Sequence, residues 1–148
     1  MSYQEKSSMI SIVSTLIVFI GLGIYVYWIY QEGNLHSDEV LHFWGIVFII
    51  LTVASIVFHI VAHVITSIVT GIVTRSKESF IQDERDKLID LKGTRNAHYV
   101  FITGFALSMG MLAFRIDPSI IFPFLFFFGF LSALIGDCSR IYFYRRGF

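Results

Sequence analysis

Two histidines inside an apolar stretch carry the most chemical capacity in this sequence. His59 and His63 form an H-x-x-x-H pair one helical turn apart, a spacing that lets two imidazoles reach one metal ion. They belong to a stripe of Thr52, Ser55, His59, Ala62, His63, Thr66 and Thr70 that recurs at three- and four-residue steps on one face of a helix. Polar groups in lipid must find partners, and ionisable groups there are functional candidates. The stripe is therefore expected to point into a bundle of helices.

Asp137, Cys138 and Arg140 lie near the end of the last apolar run. Counted from the ends of their own runs at 1.5 Å per residue, Asp137 and His63 agree in depth within about 5 Å. A metal centre of His59, His63, Asp137 and Cys138 is thus within geometric reach. A haem would need axial histidines on different helices at one depth. His63 with His98 comes nearest, with a mismatch of about 10 Å. Each group also has a structural reading. The histidines can bond to Ser, Thr or backbone of a neighbouring helix. Asp137 and Arg140, three apart, can pair with each other, and Cys138 can be a small buried hydrophobe.

Several chemistries have no residues to carry them. There is no Gly-rich phosphate loop, no nucleophile elbow, no H-E-x-x-H and no pair of buried carboxylates. Formal charge is zero, with 11 basic and 11 acidic residues, so no basic surplus addresses nucleic acid. The single cysteine excludes an intramolecular disulfide.

The elements that would position these residues are set by composition. Apolar residues make up 55% of the 148 and charged residues 15%, against about a quarter charged in soluble domains. The apolar residues form blocks of roughly 20 or more, the length that crosses a hydrocarbon core. Four spans are expected, over residues 9–30, 40–74, 97–114 and 118–144. The first is too long for a cleavable leader and has no A-x-A site after it, so it reads as a retained helix. The second is longer than a crossing needs, so it tilts or its end overhangs the lipid. Tyr25, Tyr27, Trp28 and Tyr30 close the first span, and Phe43 and Trp44 open the second, as an interfacial aromatic belt would. Asp117 is placed to cap the fourth helix and Pro118 to occupy its first position. The run Phe122–Phe130 reads as a lipid-facing surface, with Pro123 a point of kinking. Small residues mark packing seams: Ser11, Ser14 and Gly21, then Gly104 and Ser108, then Gly129, Ser132, Ala133 and Gly136.

Lys6, Arg75, Lys77, Arg85, Lys87, Lys92, Arg95, Arg140, Arg145 and Arg146 fall on one side of these spans, leaving Arg115 on the other. The positive-inside rule then puts both termini and the second connection in the cytoplasm. Within that connection, residues 76–92 set Phe80, Ile81, Leu88 and Leu91 on one side and charges on the rest, which predicts a cytoplasmic amphipathic helix.

The stretch from Asp83-Glu84-Arg85 through Asp86, Lys87, Leu88 and on to His98-Tyr99 resembles a family of small bacterial and archaeal four-helix membrane proteins. In that family an acidic–basic segment precedes an amphipathic turn and the third span. The resemblance covers the second half of the chain and brings no established activity. Genes of that kind often sit beside helix-turn-helix regulators, which implies a membrane partner in a regulatory or stress system.

The sequence thus predicts an all-α, integral membrane four-helix bundle, a single multi-pass unit of the cell (inner or cytoplasmic) membrane. The expected function is non-enzymatic, regulatory or accessory, without a cofactor. It would act through helix packing and a cytoplasmic surface at Phe80, Leu88 and Leu91. Its expected partners are the lipid bilayer, further copies of itself and a cytoplasmic regulatory protein. Two other classes stay open: a metal- or haem-binding redox or transport protein centred on His59 and His63, and a small oligomeric channel or transporter.

Overall fold

The computed structural model describes residues 3–31, 40–74 and 84–146, with the side chains of residues 3–6, 30, 31, 63, 66 and 69–74 outside the described set. The described chain is all-helical: α1 (Tyr3–Gln31), α2 (Val40–Thr74), α3 (Glu84–Ala113) and α4 (Pro118–Arg146). Three of these contain stretches long and apolar enough to cross a membrane, namely Ser7–Ile29, Val40–Ala62 and Pro118–Arg146. The third helix is composite. Its first half carries Glu84, Arg85, Asp86, Lys87, Asp90, Lys92 and Arg95, and nothing charged follows Arg95.

That composite helix departs from the expected pair of elements, a short amphipathic helix over 76–92 and a span from residue 97. Residues 76–83, Phe80 among them, lie outside the described residues. From Glu84 onward there is one unbroken helix. Gly93 sits where a break is expected, and a helical glycine costs about 1 kcal/mol relative to alanine. Here the glycine is buried against α4, so close packing offsets that cost.

The turn between α3 and α4 is closed by backbone bonds at both ends. The amide of Ile116 donates to the carbonyl of Met111 at 3.1 Å and that of Arg115 to Leu112 at 3.0 Å, the paired bonds of a Schellman cap. Arg115 holds the left-handed position, φ 57°, that glycine usually fills. Two residues on, the Asp117 carboxylate accepts from the Ser119 amide at 2.7 Å, and its carbonyl accepts the first bonds of α4. That amide bond, helped by the Ser119 side chain, holds the Asp117 carboxyl below the usual carboxylate range. The cap and the Pro118 start are as expected. Pro123 lacks the amide that would bond the Ser119 carbonyl one turn back.

The last helix is the organising one. It packs along α3 over the greatest length, touches α1 along a second face and meets α2 slightly, while α1 also lies on α2. An aromatic cluster joins α1, α2 and α4. Trp44, 2% exposed, and Val47 are buried there with Val40, and Leu22, Val26, Phe43, Phe122 and Phe126 pack around them. The Trp44 ring lies 6.1 Å from Phe122 and 5.6 Å from Phe126, centroid to centroid, and Phe19 stacks on Phe130 at 3.8 Å.

Two expectations are corrected here. The phenylalanine run is half-buried rather than wholly lipid-facing: Phe122 and Phe126 cover Trp44, Phe130 meets Phe19, and Phe128 lies against Gly104. Among these rings Phe127 is the exposed one. Rings can fill the space between helices as readily as they face lipid, so an apolar run by itself does not choose a side. Trp44 is interior rather than part of a belt, whereas Trp28 is 67% exposed. The small residues divide similarly. Ser14, Gly104, Ser108 and Gly136 are buried in seams, while a methyl group added at Gly21 or Gly129 would meet open space.

Candidate functional site

The densest set of polar side chains joins the first half of α3 to the last third of α4. On α3, Asp86, Asp90, Gly93, Thr94 and Ala97 recur at three- and four-residue steps, which stacks them on one side of the helix. On α4, Gly136, Asp137, Arg140 and Tyr144 do the same. The helices run antiparallel, so early residues of α3 meet late residues of α4.

Arg140 is the hub. Its Nε donates to Asp90 Oδ1 at 2.8 Å, its Nη1 to Asp137 Oδ1 at 2.7 Å and its Nη2 to Thr94 Oγ1 at 3.1 Å. One guanidinium therefore ties a carboxylate on its own helix to a carboxylate and a hydroxyl on the neighbour. The Asp137 pair is the three-apart ion pair expected from the sequence. Asp137 is 5% exposed, so its charge depends on that guanidinium for compensation. The Asp90 side chain is largely exposed and reaches the same group from outside.

Backbone proximity makes room for the hub. A methyl group at Gly93 would stand 2.6 Å from Arg140 Cγ and 3.0 Å from the Gly136 carbonyl. One at Gly136 would stand 3.1 Å from Ala97 Cβ. Two glycines and an alanine thus let the helices approach so that the Arg140 stem lies across α3. The polar ladder extends both ways from this point. Asn96 Nδ2 donates to Ser139 Oγ at 3.1 Å, and the Tyr144 hydroxyl bonds the Asp86 carboxylate. Lys92 lies over the Phe143 ring, 5.3 Å from its centroid. Among the described residues, no buried side-chain nitrogen or oxygen lacks a hydrogen-bond partner.

The histidine stripe lies elsewhere. His59 Nδ1 donates to the Ser55 carbonyl at 2.8 Å, which leaves Nε2 as the acceptor facing the Thr15 hydroxyl of α1 at 3.4 Å. The His63 side chain lies outside the described residues. Cys138 is exposed on α4. Asp137 bonds Arg140, and His59 bonds α1 and its own helix. Among the described residues, no three side chains of His, Cys, Asp and Glu converge on a point that would hold a metal ion. His98, the expected second haem ligand, is exposed on α3.

Leu88 and Leu91 are 52% and 66% exposed, whereas Ile89 between them is fully buried. The ladder partners Asp90, Thr94 and Ser139 were not singled out from the sequence. A signal for them was present: Asp86 and Asp90 share a side with Gly93 and Ala97, opposite the two leucines. Comparison with family models, curated proteins and solved structures finds no match to the chain.

Proposed function

We propose that this chain is a non-enzymatic, multi-pass protein of the cytoplasmic membrane, regulatory or accessory in type, whose working part is the cytoplasmic end of the α3–α4 pair. The observation that carries this reading is the Arg140 hub. Its polar groups are spent on one another across two helices, as suits a device that fixes helix geometry. Charge placement supplies the orientation. Apart from Arg115, every lysine and arginine in the described part of α3 and α4 belongs to the end of the bundle that holds this hub, which by the positive-inside rule faces the cytoplasm with both termini.

Helix length agrees with an interfacial hub. Counting about 20 residues back from Ala113 along α3, or forward from Pro118 along α4, reaches Thr94 and Asp137. The hub then sits where hydrocarbon gives way to headgroups, and the second half of α3 makes a fourth crossing.

The reading is tested on the purified full chain and in vesicles. A single cysteine placed at residue 2 or residue 148, in a Cys138→Ser background, is expected to react with impermeant maleimide only when the cytoplasmic face is accessible. The protein should be colourless and metal-free and should carry no ion flux in liposomes. Labelling from the outer face would overturn the orientation. A Soret band or stoichiometric metal lost in His59→Ala/His63→Ala would overturn the function in favour of a cofactor centre on α2.

A further inference from the structure

Charge is segregated around the first half of α3. Asp86 and Asp90 face α4 and are bonded to Tyr144 and Arg140. The opposite side carries Leu88 and Leu91, with Arg85, Lys87 and Arg95 exposed around them. Glu84, at the first residue of the helix, is the acidic group on that side. The same side continues without change of angle into Tyr99, Ile102, Phe105 and Met109, all exposed. Leu88, Leu91, Arg95, His98, Ile102, Phe105, Met109 and Leu112 in fact follow one three-and-four repeat along the whole helix.

We infer that this strip is a binding site for anionic phospholipid headgroups, with Leu88 and Leu91 seated at the acyl boundary and Lys87 and Arg95 on the phosphates. The inference rests on the membrane reading given above. Continuity chooses the occupant, because lipid covers the far half of the strip and the near half lies on the same face. By the count from Ala113, Leu88 and Leu91 fall within the headgroup layer, about 4.5 to 9 Å beyond Thr94. Charge complementarity chooses the headgroup. A cytoplasmic leaflet bearing anionic lipid attracts each basic residue at its surface by about 1 kcal/mol. Asp90, bonded to Arg140, and Asp86, bonded to Tyr144, face α4, which leaves Glu84 as the acid on that side against Arg85, Lys87 and Arg95. The hub thus has a second consequence, since holding Asp90 against α4 keeps the outer face of α3 basic.

The test uses the full chain in nanodiscs. A bimane label on Leu91→Cys, in a Cys138→Ser background, reports contact with brominated lipid by quenching. Brominated phosphatidylglycerol is expected to quench more strongly than brominated phosphatidylcholine mixed at the same fraction. Lys87→Ala and Arg95→Ala should each lower that preference by about fivefold, which is 1 kcal/mol at each site. Lys87 and Arg95 are exposed, and circular dichroism and thermal unfolding of both variants should match the parent.

Equal quenching by the two lipids would overturn the headgroup site. So would a label quenched by neither, the result expected if a cytoplasmic protein covers the leucines. Release of the parent chain from membranes by alkaline carbonate would instead sink the membrane reading itself, a separate failure with a separate signature.

Discussion

The two sides of α4 are held by different means. Along α3 the contact is close and polar. Glycines at 93, 104 and 136 bring the helices together, and Arg140, Asp90, Asp137, Thr94, Asn96 and Ser139 bond across or along the seam. Along α1 and α2 the contact is aromatic and looser. Trp44, Phe122, Phe126, Phe19 and Phe130 interleave, and Thr15 and His59 share a long hydrogen bond between α1 and α2. In lipid an apolar side chain gains little by leaving one apolar neighbour for another, so close backbone approach and satisfied polar groups decide which helices stay together. The α3–α4 pair is accordingly expected to be the stable unit, and α2 the helix that separates first.

The sharpest way to break the comparison is at Gly104. A methyl group there would stand 2.2 Å from both Cβ and Cγ of Phe128, which no side-chain rotation relieves. Gly104→Ala is expected to cost about 3 kcal/mol in detergent unfolding. The same change at Gly21, which faces open space, should cost nothing and gain up to about 1 kcal/mol from the better helix former. Equal effects at the two sites would show that the seams do not differ.

Arg140→Ala comes next. It strands Asp137, buried against α3, and releases Asp90. Because the Arg140 side chain is 27% exposed, the expected loss is roughly 2 kcal/mol rather than the full cost of a buried pair. Adding Asp137→Asn should restore part of it. If the double variant is no better than the single one, the hub is not electrostatic.

The legible and illegible parts of this molecule divide along the same line. Helix positions, the overlong α2 and the Asp117–Pro118 start of α4 follow from hydropathy and capping, which are local. The Asp137–Arg140 pair is local too. Asp90 lies fifty residues from Arg140, and only the antiparallel seam brings them together. The inward turn of Phe122–Phe130 depends on which neighbours α4 acquires, and a lone run of rings carries no record of that. Continuity of α3 through Gly93 was hidden for a related reason, since a glycine between charged and apolar halves marks a boundary until a second helix packs against it.

Smaller effects sharpen the picture. Arg115→Gly should raise stability by about 1 kcal/mol by removing the left-handed strain of a side-chain-bearing residue, measured as a shift in unfolding midpoint. Thr15→Val should cost about 0.5 kcal/mol, the scale of a single interhelical bond in lipid, and so less than any change at the hub. Smallest is the pH response at Asp117. Its folded carboxyl is depressed by the Ser119 amide, so its contribution is present above the unfolded value of about 3.9 and is lost as pH falls through the folded one. Asp117→Asn should flatten that acid limb and leave neutral stability nearly unchanged.

The central helix is made after the three it packs against. During synthesis α1 and α2 can pair as soon as both have left the ribosome, but α3 finds its chief partner only when α4 emerges behind it. Until then Asp86 and Asp90 have neither Tyr144 nor Arg140, and the nascent chain carries unpaired acids at the membrane entrance. Truncation before residue 118 should therefore leave a three-helix fragment that quality-control proteases recognise. The completed α4 turns that fragment into a long-lived protein.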